Sequence, residues 1–267
     1  MDDRKIRISL EKKMKLIHKV EDCAVYKGND SSTSTSTYLL KIPSSLELLR
    51  AIKDAGTIKH VKKSTNDTIK FKATRVESLK QFIENIHDNK YMRDKNMVGL
   101  IYTLVLKLLA DVGTLLQYAM SEYGRVIPFF SLEDIIVIEN ENATTTTEEP
   151  TFDFVFINGE KMLQTIQISR ETNALRVDVP LQVNKQTSFL PLELAESELK
   201  HLPMHLTTTS WLYSLSSLCM YALLNYKFKN GEDDIERIGR PFLHTSLYFC
   251  LKRCMKTKPE KRILLYV

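Results

Sequence analysis

The stretch "NMVGLIYTLVLKLLADVGTLLQYAMSEYG", Asn96 to Gly124, constrains this chain more than any other. Apolar residues fall on nearly every side of a helix about 40 Å long at about 1.5 Å per residue. Such a helix needs protein around it. Lys107 and Asp111 interrupt the apolar run from Val98 to Met120, which predicts a buried helix rather than a membrane span. With 267 residues, 43% of them apolar, the chain can build the body that surrounds it, as one two-lobed domain or two small ones.

Before that helix the pattern is of short strands. "RKIRISL" alternates charge with apolarity, while "CAVYKG", "TYLLKIP" and "TIKFKAT" carry aliphatic and aromatic strand formers. The polar run "NDSSTSTST" reads as a solvated hairpin loop. One helix interrupts the strands: "SSLELLRAIKDAG" has a serine cap, apolar Leu46, Leu49 and Ile52, and a closing glycine. From Glu77 the pattern turns helical, beginning with "ESLKQFIENI". After the long helix come two strand-like pieces, "DIIVIE" and "FDFVFI", separated by the polar insert "NENATTTTEEP". Gly159 to about Ser188 reads as a long irregular stretch. An apolar helix, "TSWLYSLSSLCMYALL", and a closing helix from about Pro241 to Lys256 complete the order.

Charge is unevenly placed. Residues 1–75 hold 17 Lys and Arg against 9 Asp and Glu, and the remainder holds 21 against 24. This asymmetry suits an anionic partner at the N-terminal part. Aromatic residues are not interleaved with these lysines in a stacking pattern, which argues against RNA. The four cysteines, Cys23, Cys219, Cys250 and Cys254, form no disulfide framework or paired CxxC set and are expected to be core thiols. The charged start "MDDRKIR", with no apolar run after it, predicts no secretory leader. An intracellular, cytoplasmic location is expected. "HLPMH" sets His201 near His205, but Pro203 breaks the helix that would align them, and no zinc site is expected. No hydrolase nucleophile elbow is present.

A small β-rich part followed by a larger helical part is the element order of protein kinases, and four stretches resemble that family's signatures in the right order. "VYKG" and "YLLKIP" look like its second and third strands, with Lys41 at the place of the phosphate-holding lysine. "VESLKQFIEN" is similar to the hinge and the helix after it. "FLPLEL" resembles the motif that ends the activation segment, with Glu193 as its glutamate. "CMKTKPEKR" resembles the late pattern whose arginine, here Arg262, pairs with that glutamate. The resemblance covers nearly the whole chain. It implies an α+β, two-lobed protein kinase-like fold over residues 1–267, with a small β-rich N-lobe (1–76) and a larger, mainly helical C-lobe (77–267). It further implies a structural ion pair between Glu193 and Arg262.

The chemistry of the family does not carry over. Its three loop glycines, which let the backbone approach phosphates, fall on His18, Val20 and Cys23. Lys41 is expected to keep at most a vestigial cofactor-binding role. The window "DAGTIKHVKKS", where the family has a helix glutamate, holds none, and Glu47 stands too close to the lysine. The catalytic aspartate falls on Phe129, which cannot accept a proton and is expected at the mouth of the interlobe cleft. The metal-binding asparagine falls on Asp134. The magnesium-binding aspartate falls on Asn158, followed by Gly159, and an asparagine is a weak neutral magnesium ligand. Trp211 replaces the buried aspartate that usually holds the catalytic loop, in agreement with a loop that no longer needs holding.

The resemblance therefore implies a pseudokinase: no enzyme activity, no cofactor, no metal, and a binding or scaffold role toward a protein partner. Lys59, Lys62 and Lys63 are expected to form a docking face for an acidic partner, with neither nucleic acid nor membrane insertion involved. The segment 159–190 offers Ser169, Thr172, Thr187 and Ser188 for phosphorylation. Two other readings stand beside this one. An active but divergent Ser/Thr kinase would draw its acid from Glu133, Asp134 or Asp153. An unrelated basic α+β module would bind nucleic acid or another polyanion. Degenerate kinase-like chains with polar inserts and an abrupt end such as "KRILLYV" also resemble proteins of large DNA viruses, in infected cells or virions.

Overall fold

The computed structural model describes residues 14–29, 35–88, 97–140, 151–169, 174–180, 183–197, 203–227 and 235–264. It is a mixed α+β structure, rich in strands in its N-terminal part and helical later. Contacts divide it into two compact units: Met1–Glu84 with Glu133–Glu160, and Asn85–Leu132 with Lys161–Val267.

The first unit begins with β1 (Lys15–Val20) and β2 (Cys23–Lys27). Glu21 and Asp22 turn the chain between them, and Glu21 adopts the left-handed φ of 51° that this tight reversal demands. β3 (Ser36–Lys41) pairs with β2 and starts one residue earlier than Thr37, where the sequence suggested it. Ser36 is recruited from the polar run because Ala73 stands opposite it. α1 (Leu46–Asp54) follows, capped by Ser45, whose Oγ accepts from the Leu48 amide at 3.1 Å. β4 (Val61–Ser64), which the sequence did not suggest, and β5 (Thr68–Ala73) complete an antiparallel sheet of order β1-β2-β3-β5-β4. Tyr38, Leu40, Ile69 and Phe71 form its buried face, with the Tyr38 and Phe71 rings stacked at 5.8 Å. The strand expected at "RKIRISL" lies outside the described residues.

β6 (Arg75–Ser78) precedes α2 (Leu79–His87), so the helix starts later than Glu77. Residues 75–78 stay extended because β9 (Ile135–Asn140) pairs with them. On its other side β9 pairs with β10 (Thr151–Phe156). This three-stranded sheet brings residues 133–160 into the first unit, so the contacts do not divide at residues 76 and 77. Phe82 of α2 packs its ring against Phe152 and Phe154 of β10, with centroids 5.2 and 6.0 Å apart.

The second unit is built on α3 (Met97–Tyr123), which is long and apolar enough to cross a membrane but is packed against α5 (Ser210–Leu224). Nearly all of α5 is buried. The stretch expected to be irregular is instead a sheet. β11 (Leu163–Ser169) and β12 (Ala174–Val179) form an antiparallel pair, flanked by β7 (Arg125–Val126) and β14 (Met204–Thr207) in the order β14-β12-β11-β7. Val177 and Val179 bury one face of it and hold it in place. β8 (Phe130–Ser131) pairs with β13 (Ser188–Phe189), and α4 (Leu192–Ala195) follows. The closing helix is shorter than expected. After α6 (Ile235–Ile238), a 3-10 turn spans Arg240–Phe242, His244 takes a φ of 69°, and α7 (Ser246–Cys254) begins anew on its Thr245 cap.

Candidate functional site

The β1–β2 hairpin places the three residues that stand at the glycine positions. His18 is nearly buried, and its Nε2 is 2.8 Å from the Glu133 carbonyl oxygen, 115 residues away in sequence. Its Nδ1 lies 3.8 Å from the Glu133 carboxylate, which also meets Lys80 at 3.3 Å. The imidazole thus ties the hairpin to the 3-10 turn at Leu132–Asp134. Val20 closes the strand opposite Cys23. Cys23 is fully buried, and loss of solvation pushes its thiol up to about 12, with the neighbouring Asp22 carboxylate adding to the rise. Just beyond, Glu160 has its carboxyl raised by partial desolvation and by the charges of Glu21 and Asp22. Three carboxylates therefore gather beside the turn where the resemblance implies phosphates.

Asp134 and Asn158 stand at the two metal-binding positions, and both are 2% exposed. Asn158 Nδ2 donates to Asp134 Oδ1 at 2.8 Å, while Asn158 Oδ1 accepts from the Glu160 amide at 3.2 Å. That second bond fixes the orientation of the amide, because an oxygen must face the backbone N–H. The NH₂ group is thereby turned onto the carboxylate, in the direction a cation would take. The Ile157 amide also donates to the Asp134 carbonyl, at 2.8 Å. A donor turned inward does not fit a magnesium site, which takes oxygen ligands. Gly159 sits tight against the start of α1: a Cβ there would meet Ser44 Oγ and Ser45 Cβ at 2.7 Å. The Asn158–Gly159 pair therefore opens a 3-10 turn pressed onto α1.

Lys41 lies half-buried at the end of β3, between Ala24 and Thr68. α1 carries Glu47 in its first turn and Lys53 in its last. Asp153 is buried on β10, where it accepts from Asn140 Nδ2 at 2.7 Å and meets Lys59 at 3.5 Å. Lys59 is thus paired with a carboxylate, while Lys62 and Lys63 are exposed on β4. Lys63 stands directly opposite Lys70, and Lys72 follows two residues later on the same face of β5. Sequence reading had missed Lys70 and Lys72; their alternation with Ile69, Phe71 and Ala73 was the available signal.

In the second unit, Phe129 is 3% exposed, with the Lys161 ammonium 5.0 Å from its ring centroid. Lys161 also donates to Ser131 Oγ at 3.0 Å. Trp211 is buried at the start of α5. One turn later the fully buried Ser214 donates its Oγ to the Pro128 carbonyl at 2.9 Å. A neutral hydroxyl fastens this stretch, and nothing in the local sequence distinguished it from the other serines of α5.

Glu193 and Arg262 are brought together as a fork. Arg262 Nη1 and Nη2 donate to Glu193 Oε1 and Oε2, both at 2.8 Å. Ser210 Oγ donates to Oε1 at 2.8 Å, and the guanidinium lies 5.1 Å from the Tyr213 ring centroid. Burial pushes the Glu193 carboxyl up, yet the hydrogen bonds and charge of Arg262 outweigh it and hold the group below its ordinary range.

Of the four segment hydroxyls, Thr187 is exposed, whereas Ser188 is buried, with its Oγ 3.3 Å from Ser131 Oγ. Ser169 ends β11, and Thr172 lies outside the described residues. His201 lies outside them too. His205 is on a strand, not a helix, and its Nδ1 is 2.7 Å from Asp178 Oδ1. Among the described residues no cluster of three or more His, Cys, Asp or Glu could hold a metal ion. No family model and no curated protein matches this chain.

Proposed function

We propose that this chain is a protein kinase-like, two-lobed pseudokinase that works by presenting a surface to a protein partner rather than by transferring phosphate. The observation that carries the reading is the bond from the Asn158 amide to the Asp134 carboxylate, which uses up both positions where the resemblance implies metal ligands. His18 and the carboxylates of Glu21, Asp22 and Glu160 add to it: one spans the hairpin to Glu133, the others repel an incoming triphosphate. The three acids of the divergent-kinase reading are each engaged, Glu133 by Lys80, Asp134 by Asn158 and Asp153 by Asn140 and Lys59. The Glu193–Arg262 fork supports a retained frame. The lysine face of β4 and β5 is the proposed docking face, and the partner is acidic.

A thermal-melt titration with ATP, with and without magnesium, tests this. A ligand at one hundred times its dissociation constant adds about 2.7 kcal/mol of stability, a shift no melt would miss. No shift with either nucleotide form is expected. A magnesium-dependent rise in melting temperature overturns the reading, because Asp134 and Asn158 would then have to separate around a cation.

A further inference from the structure

The second unit contains a pocket of about 440 Å³ that the reading above does not use. Its apolar wall consists of Phe189, Leu190, Leu192 and Tyr213, and two lysines, Lys185 and Lys227, border it. The volume and the mainly apolar lining with a few polar groups are those of a small-molecule site. The lysines give it a sign. Lys227 donates to the carbonyls of Gln186 at 2.6 Å and Lys185 at 3.3 Å, and its ammonium lies 5.2 Å from the centroid of the Phe189 ring. Lys185 donates to the carbonyls of Ala195 at 2.8 Å and Ser197 at 2.9 Å. Among the described residues neither ammonium meets a carboxylate. Backbone dipoles hold both cations in place, and among the described residues no carboxylate compensates their charge. Burial also pulls the Lys227 ammonium below its ordinary range, so an anion placed beside it would stabilise the charged form.

We propose that this pocket binds a small amphipathic anion: an aromatic or short aliphatic body against Phe189, Leu192 and Tyr213, with its carboxylate or phosphate between Lys185 and Lys227. The same chemistry is offered by a free organic acid and by an acidic side chain next to a phenylalanine in a peptide. All of the pocket's lining residues belong to the second unit.

The test is calorimetric titration of the full chain with 4-phenylbutyrate, phenyl phosphate and the neutral control 4-phenylbutanamide, alongside the peptide acetyl-Phe-Glu-amide. At least one of the anionic probes should bind and the butanamide should not. Lys227→Met and Lys185→Gln should each weaken the bound anion about tenfold or more. Lys185→Gln is the safer variant, because Lys185 is exposed while Lys227 also holds the carbonyls of residues 185 and 186. Tighter binding of the free acid than of the peptide identifies a small molecule as the natural source, and the reverse identifies a protein segment. Equal binding of acid and butanamide, affinity unchanged in both variants, or no binding of any anion at millimolar concentration overturns the proposal.

Discussion

Arg262 donates four hydrogen bonds from its three nitrogens: two to Glu193, one to the Lys256 carbonyl at 2.8 Å and one to the Thr257 carbonyl at 3.2 Å. Its side chain is fully buried, while that of Glu193 keeps 25% exposure. A cation so placed has no water to fall back on, so losing its carboxylate matters more than losing an ordinary surface pair. Glu193→Ala, which strands the buried guanidinium, should cost about 3–5 kcal/mol, measured by urea unfolding at neutral pH. Acidity gives a finer test. The folded Glu193 carboxyl titrates below its ordinary 4.5, so its contribution is present above that value and lost as pH falls through the folded one. The stability gap between the native chain and Glu193→Gln should therefore be widest near neutrality and shrink as pH drops below 4.5. A gap that stays constant with pH would mean the fork is energetically idle. This pair was legible because each partner sits in a short motif, "PLEL" and "KTKPEKR". The His18 contact was not, since a ring meeting a carbonyl 115 residues away leaves no local pattern.

Among the elements, those with a buried stripe and a cap could be read directly: α1 has Ser45 before Leu48, Leu49 and Ile52. The β11–β12 pair hid because its polarity is inverted. Ile166 and Ile168 face outward at 39% and 59% exposure, whereas Thr165 stands opposite the buried Val177. β7, β8 and β13, two residues each, are too short for any period to show. β4 is exposed throughout and is a strand because β5 pairs with it. That pairing sets Lys63 against Lys70, and like charges directly opposite weaken a sheet. Such an arrangement is useful where an anion is to be met. Lys63→Glu should turn the repulsion into an ion pair and raise stability by about 0.2–1 kcal/mol. It should also make the protein leave a heparin column at lower salt. A variant that is more stable yet retained as strongly as before would remove β4 and β5 as the docking face.

At the scale of the whole molecule, the composition allowed a core in each of two units, and the four thiols report on them separately. Cys23 lies in the first, on β2; Cys219, Cys250 and Cys254 lie in the second, on α5 and α7. None of the four is in a disulfide, and all are buried. Burial raises the thiols of Cys23 and Cys219, and the hydrogen bond to Cys250 together with burial raises that of Cys254. Since the thiolate is the nucleophile, a colorimetric disulfide reagent should find essentially no reactive thiol in the native protein and four in urea. The order of appearance carries the information. Cys23 is one strand from the sheet edge at β1, so local opening of the β1–β2 hairpin exposes it. The other three sit among helices whose opening requires the second unit to unfold. Labelling at low urea should therefore be biphasic: one thiol reacts first, identified by peptide mapping as Cys23, and three follow together. Simultaneous appearance of all four would mean that the hairpin is no weaker than the helical core. In that case the His18–Glu133 contact would be a true clasp, and His18→Ala should restore the early phase.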